Sequence, residues 1–532
     1  MESLKDTLLR VKELEKICGQ EHLTLKTNVL IEELNNLYKN SLSNFQRQKI
    51  VTDSRNSEEN SKAFSQVYAQ TSVIIEGIDS CFMLLIKKNT KELELKFGKN
   101  FIERFASNNE SSTIHKNILK ELKCKEQKLI ESYFQKIRNK NKTKNSFSNE
   151  PYFVTNNLFQ GQGNSENVDL KQIYVDLISV RNKIANLKNY NNFFIKEISG
   201  QKHNRVDLDL FLKKSSKSLN YFTSRLKKIQ LSTLKLDAIN TNLKFTFFKN
   251  NEVNNVFFKE ENYLKVFSKV NQELFEMYND MKSISCINLE QGKSKKNIAY
   301  TTFLYDIKSP YVFMIYESKF SNLRTLTHEI GHAYEKYLNK DLKYFFDFNN
   351  KIEIAEAQAI SMELFFAYEQ NNLFNTKKSK EYLLYILLKN ILLINDALIL
   401  FEFEKNVYNL KVLDVNILDD MWLKINEKYG VEKENAENWA LKTHLFNAPC
   451  YYINYAISKM IAFQFYENYC KNPEQTFSVY KEFIYNGGNS SKENLYSDFN
   501  LFKPHSAEAN LTLNALIVKT LEWYSNLNSM DI

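Results

Sequence analysis

Apolar residues recur every three to four positions through most of this chain. Leu4, Leu8, Val11, Leu14 and Ile17 form one such stripe, and Leu30, Ile31, Leu34 and Leu37 form another after a polar break. That spacing follows the turn of an α-helix and predicts amphipathic helices. Val73 to Ile86 is more apolar and suits the interior of a helical bundle. From Arg138 to about Val168 the period fails, and Asn, Lys, Ser and Gln dominate around Pro151-Tyr-Phe-Val154. The pattern thus predicts an N-terminal helical lobe over residues 1–137, a connection over 138–169 and a larger lobe over 170–532. Two stretches interrupt the helical spacing of the second lobe. Ile298 through Tyr305 and Tyr311 through Tyr316 are β-branched and aromatic with Ser309-Pro310 between them, which predicts a short hairpin. Ser321 or Asn322 is then placed to cap a helix whose apolar stripe is Leu326, Ile330, Ala333 and Tyr337.

Composition sharpens this to a mainly α fold. Only 11 Gly and 5 Pro occur in 532 residues, too few for the turns of a strand-rich protein. A hydrophobic content of 43% is ample for a large core. The most apolar run, Tyr382 to Phe403, is broken by Lys389, Asn390, Asn395 and Asp396, so it reads as a buried helix and no membrane span is expected. The net charge of +9 comes from scattered lysines. The one dense basic run, Lys136 to Lys144, sits in the expected connection and reads as a solvated loop, so nucleic acid is not an expected partner. Six cysteines at wide spacings, with no Cys-x-x-Cys, give neither a thiolate metal knuckle nor a disulfide framework. Reduced thiols and an N-terminus without an apolar signal core point to a cytoplasmic protein.

The candidate chemistry sits on the helix after the hairpin. Two of the chain's seven histidines stand four apart in His328-Glu-Ile-Gly-His332. On a helix both imidazoles face one side and can reach one cation, while Glu329 can touch a water beside it. Two imidazoles leave a hydrolytic zinc site one protein ligand short. The segment Ile352 to Glu363 offers Glu353, Glu356 and Glu363 at i, i+3 and i+10, on one helix face among small alanines. Asn350 suits an N-cap, which makes Glu353 a capping-box acid. Glu363 suits an exposed or supporting role. Glu356, with the smallest neighbours, is the expected third ligand, so His328, His332 and Glu356 would hold one Zn2+. Glu329 would serve as general base in hydrolysis, and the strand from Tyr311 to Tyr316 would pair with an extended peptide through Tyr311 and Phe313.

Thr327-His-Glu-Ile-Gly-His-Ala333, followed by Glu356-Ala-Gln-Ala-Ile-Ser-Met-Glu363, resembles the oligoendopeptidase F and thimet oligopeptidase family of zinc metallopeptidases. Ser309 through Tyr316, His444 through Ala456 and Asn486-Gly-Gly-Asn-Ser490 resemble further segments of that family. The resemblance implies a two-lobed helical clamshell with a deep substrate channel, and internal cleavage of short peptides. It also implies that Tyr455, with Tyr452 and His444, stabilises the transition state or positions substrate. A related carboxypeptidase group of the Taq type carries a similar zinc motif and would instead remove C-terminal residues one at a time. A silent relative would bind peptides without turnover. Pro449 through Tyr455 favours the oligoendopeptidase.

Overall fold

The computed structural model describes residues 4–20, 27–106, 113–142, 164–201, 205–234, 258–292, 295–296, 298–317, 319–346, 351–433, 438–486 and 496–529. Helices dominate these residues, and one small sheet accompanies them. Of the expected connection, residues 143–163 lie outside the described part; helices run over Thr113–Lys142 and Asn164–Leu187 on either side.

Contacts group the chain into two compact units, each discontinuous in sequence. The first comprises Met1–Glu110, Asn254–Ala355 and Lys481–Ser491; the second comprises Ser111–Val253, Glu356–Tyr480 and Lys492–Ile532. The division falls inside one continuous helix, Ile352–Phe374, just after Ala355.

In the first unit, the stripes read from the sequence become the core of a helical bundle. Val11, Leu14, Leu30, Ile31 and Leu34 are buried together with Ile74, Ile78, Phe82 and Leu85. The long helix Glu58–Phe97 starts where Ser57 accepts a hydrogen bond from the Asn60 N–H, 3.1 Å, and ends at Gly98, whose φ of 79° only glycine adopts cheaply. Phe345 and Phe346, just beyond the motif helix, also enter this core, so the N-terminal bundle supports the end of that helix.

The predicted hairpin is present and carries a third strand. β1 (Ile287–Asn288), β2 (Tyr300–Leu304) and β3 (Ser309–Phe313) form a sheet in the order β1-β3-β2. β3 therefore lies in the middle, parallel to β1 and antiparallel to β2. This corrects the expectation that β3 pairs with a peptide. Val312 N and Met314 N donate to Cys286 O and Asn288 O, and β2 takes the other edge. Tyr311 and Phe313 are likewise spent on the sheet. The Tyr311 hydroxyl accepts from the Asn288 amide at 3.3 Å, and buried Phe313 stacks on Tyr300 with ring centroids 5.1 Å apart. Two residues at β1 are too short a signal for periodicity, which is why the strand was missed.

The motif helix runs from Phe320 to Leu338. Neither Ser321 nor Asn322 caps it. The N-cap is Lys319, without a side-chain cap bond, and the Asn322 amide instead donates to Ile315 O at 2.9 Å, tying the helix start to the end of the sheet. The buried stripe is Leu323, Leu326, Ile330, Ala333 and Tyr334. Tyr337 is only half-buried and donates to Asp280.

In the second unit, Lys377–Val407 is the interior helix. It is long and apolar enough to cross a bilayer, yet 83% of its apolar window is buried within the fold, as the sequence reading expected. Glu58–Phe97 passes the same length and hydropathy test with 39% of its window buried.

Candidate metal centre

The motif helix brings His328 and His332 face to edge, with ring centroids 4.8 Å apart and planes at 90°. Burial holds the His332 imidazole well below its ordinary pKa, with His328 and Lys336 adding to the effect. A neutral imidazole is the form that ligates a metal. The helix is held from behind: the Tyr334 hydroxyl donates to Glu273 at 2.9 Å, and Lys481 pairs with the same carboxylate at 2.5 Å.

The acid helix Ile352–Phe374 begins where Lys351 O accepts from Ile354 N and Ala355 N. Asn350, the expected cap, lies outside the described residues. Of the three acids singled out from the sequence on this helix, Glu363 is fully buried and Glu353 is 9% exposed. The structure groups only Glu356 with the histidines. One ligand atom each from His328, His332 and Glu356 lie within 4.8 Å of one another. Two imidazole nitrogens and one carboxylate oxygen, one atom each, suit a divalent zinc ion with a position left for water.

Glu329 is 7% exposed and does not join that group. It is held by a residue the sequence reading missed. The Thr301 hydroxyl on β2 lies 2.7 Å from Glu329 Oε2 and 2.9 Å from Glu329 O. Nothing in the spacing of the hairpin marks Thr301; its role depends on how β2 packs on the motif helix.

In the second unit, the tyrosine segment forms an aromatic cluster. His444 lies on the short helix Thr443–Asn447, and Tyr452 and Tyr455 lie on Tyr452–Lys471. Ring centroids are 4.6 Å apart for His444 and Tyr452, 5.6 Å for Tyr452 and Tyr455, and 6.4 Å for His444 and Tyr455. Burial lowers the His444 pKa to about 4, helped by Lys442, so this imidazole is neutral at physiological pH. Burial, and then the Glu356 carboxylate, raise the Tyr455 hydroxyl far above the ordinary phenol range. Tyr455 therefore stays a proton-bearing donor beside the proposed metal ligand.

Buried charge positions this segment. Arg181 is 1% exposed and donates to Leu445 O at 2.7 Å, to Phe446 O and to Tyr408 at 3.2 Å, while pairing with Glu126 at 2.7 Å. Glu404 accepts from the Cys450 N–H at 2.8 Å. Burial pushes the Glu404 carboxyl up to about 8, against the pull of that N–H and of Arg181. An unfolded chain ionises this group near 4.5. Between those values the folded state keeps a proton that the unfolded state releases, so stability falls as pH rises, by up to about 1.4 kcal/mol per pH unit, and levels off above the folded value. Glu404→Gln keeps the acceptor and removes the proton. Thermal melts from pH 5 to 9 are expected to show the variant gaining on the parent up to about pH 8; parallel curves would refute the assignment.

The family model for peptidase family M3 matches residues 156–514. A search of curated proteins finds no match. Among solved structures, a putative oligoendopeptidase F aligns at TM-score 0.77 and 18% identity, covering 98% of this chain and 97% of its own. PZ peptidase A with an inhibitor aligns at TM-score 0.75 and 19% identity, with the same coverage of 98% and 97%. A putative oligoendopeptidase F from Bacillus anthracis aligns at TM-score 0.72 and 18% identity, covering 99% of this chain and 97% of that one.

Proposed function

The chain belongs to peptidase family M3, a family of zinc metallopeptidases, and we propose that this peptidase is a zinc-dependent oligoendopeptidase that cuts internal bonds of short peptides. The observation that carries the reading is the convergence of His328, His332 and Glu356 within 4.8 Å, beside a Glu329 held in place by Thr301. Those three residues would hold the ion. When bound, zinc supplies Lewis acidity, which lowers the pKa of water toward neutrality and polarises the scissile carbonyl. Glu329 takes the proton of the attacking water and delivers it to the leaving amine. Thr301 keeps the carboxylate from rotating away during that transfer. Tyr455, neutral and buried, donates a hydrogen bond to the oxygen that becomes negative. Tyr452 and His444 pack against it and hold its ring.

The pairing of the sheet supports one place for the peptide. Pro310 has no N–H, so its pair with Phe303 is the non-bonded kind, and the bonded pairs are Thr302 with Tyr311 and Tyr300 with Phe313. The backbone groups of Thr301 and Phe303 then point away from β3. An extended substrate would pair along that outer edge of β2, next to Glu329, taking over the role expected of Tyr311 and Phe313.

The test is a digest of a defined peptide mixture read by mass spectrometry, with and without a zinc chelator. Internal cuts that vanish with the chelator and return with added Zn2+ are expected. Stepwise loss of C-terminal residues would move the reading to a carboxypeptidase of the Taq type. Zinc binding without cleavage would leave a peptide-binding relative.

A further inference from the structure

Glu329 is held from β2, and β2 is itself held from its opposite face. Successive side chains of a strand point to opposite sides of the sheet. Thr301 turns to Glu329 on the motif helix. Tyr300 turns instead to the helix Thr27–Ser54, where the Lys49 ammonium lies 3.2 Å from the centre of its ring. Asp53, one helical turn beyond Lys49, accepts from that ammonium at 2.8 Å. Lys296, four residues before β2 begins, completes the group. Its ammonium donates to the second Asp53 oxygen at 2.7 Å, and its backbone N–H donates to Asp53 O at 2.8 Å. One carboxylate thus fastens the chain that enters β2 and the cation on the first ring of the strand. The same helix holds the far end of the strand, where the Tyr305 N–H donates to Ser43 Oγ at 3.0 Å.

Asp53 does little for its own helix. It stands in the last turn, at the negative end of the helix dipole, where an acid is unfavourable. A lysine four residues ahead of an acid is also the weaker order for a helical pair. The side chain is nevertheless buried, at 3% exposure, and a carboxylate so placed needs partners on both oxygens. Its favourable contacts are therefore the tertiary ones, and they lie at the start of β2.

We infer that Asp53 is a positioning residue for the catalytic base: by holding Lys49 and Lys296 it fixes the start of β2, so that the Thr301 hydroxyl stays on Glu329. The inference rests on the peptidase reading above. A general base must meet the attacking water in one orientation, and a misplacement of about 1 Å can cost about 10²-fold in rate. Asp53 touches neither substrate nor metal in this account; it acts through two lysines, one ring and one strand.

The experiment measures kcat at saturating peptide, so that binding drops out, for Asp53→Asn, Thr301→Val and the double variant. Each single change is expected to lower kcat about tenfold. Both act on one carboxylate, so the double variant should fall less than about twofold below the weaker single. Independent losses would multiply to about a hundredfold. Lys296→Met is expected to repeat the Asp53→Asn loss and Lys296→Arg, which keeps the cation, to restore most of it. If Asp53→Asn does not fold, Lys296→Met takes its place in the cycle. Arg47→Gln is the control: its pair with Asp306 at 2.5 Å is part-exposed and lies past the far end of β2, so kcat should stay within about twofold of the parent. Asp53→Asn and Lys296→Met with kcat within twofold of the parent, or a double variant whose loss is the product of the singles, would overturn the inference and leave the peptidase reading standing. A parent protein that cuts no peptide would take both down.

Discussion

Glu329→Gln is expected to lower kcat by about a thousandfold, within the 10²–10⁴ range of a lost general base, while the protein folds and loads metal as before. Gln has the shape of Glu, and its amide oxygen can still accept from the Thr301 hydroxyl, which lies 2.7 Å from Glu329 Oε2. The amide cannot accept the proton that the attacking water must lose. Glu329 is also outside the group formed by His328, His332 and Glu356, so its replacement leaves the proposed ligand set whole. The defect should therefore appear in kcat with KM little changed, since substrate binding does not use the proton. Metal content by elemental analysis and a thermal melt separate this outcome from misfolding. A variant that keeps more than a tenth of the parent kcat would remove Glu329 from the mechanism.

The parts legible in the sequence share a property: each depends on spacing along one element. The helical stripes of Val11, Leu14, Leu30 and Ile31 fall in the core because i, i+3 and i+4 face one side whatever the neighbour. His328 and His332 come together for the same reason. Glu356 was reachable because zinc chemistry demands a third donor and few acids stood on a helix among small residues. What was not legible depends on which element packs on which. Thr301 is one of several hydroxyls in a strand until the strand lies on the motif helix. The middle position of β3 follows from β1, a strand of two residues that local preference does not mark. Ser321 and Asn322 carry good capping side chains, but the Asn322 amide has a tertiary partner at Ile315 O, and that bond displaced the local one. Nothing in the spacing marks Arg181 or Glu404; the fold shows that both bond the backbone around the tyrosine segment.

That support fixes the backbone of the tyrosine segment. The chain makes a tight reversal there, with Cys450 in the left-handed region at φ 59°, a conformation that costs a non-glycine residue about 1 kcal/mol or more. The bond from its N–H to Glu404 and the contacts of Arg181 to Leu445 O and Phe446 O hold the backbone in that shape. Tyr455 on the next helix is thereby presented from a rigid base, and a preorganised donor is worth more in a transition state than one that must be ordered on the way.

Tyr455→Phe is accordingly expected to lower kcat by about 10²–10³-fold, the usual loss on removing one donor to a developing oxyanion. The ring is kept, so its packing against Tyr452 at 5.6 Å and His444 at 6.4 Å survives and KM should change little. A control follows from the same cluster. Tyr452→Phe removes a hydroxyl from the neighbouring ring and should cost far less if Tyr452 only supports Tyr455. The pH profile gives a second discriminator. A fixed donor does not titrate during turnover, so the alkaline fall in kcat should have the same midpoint in the parent and in Tyr455→Phe. An alkaline limb that disappears in the variant would mean that Tyr455 ionises during turnover, acting as an acid rather than as a fixed donor. A kcat loss below about fivefold would mean that the oxyanion is held without this hydroxyl, and would return Tyr455 to a packing role beside Glu356.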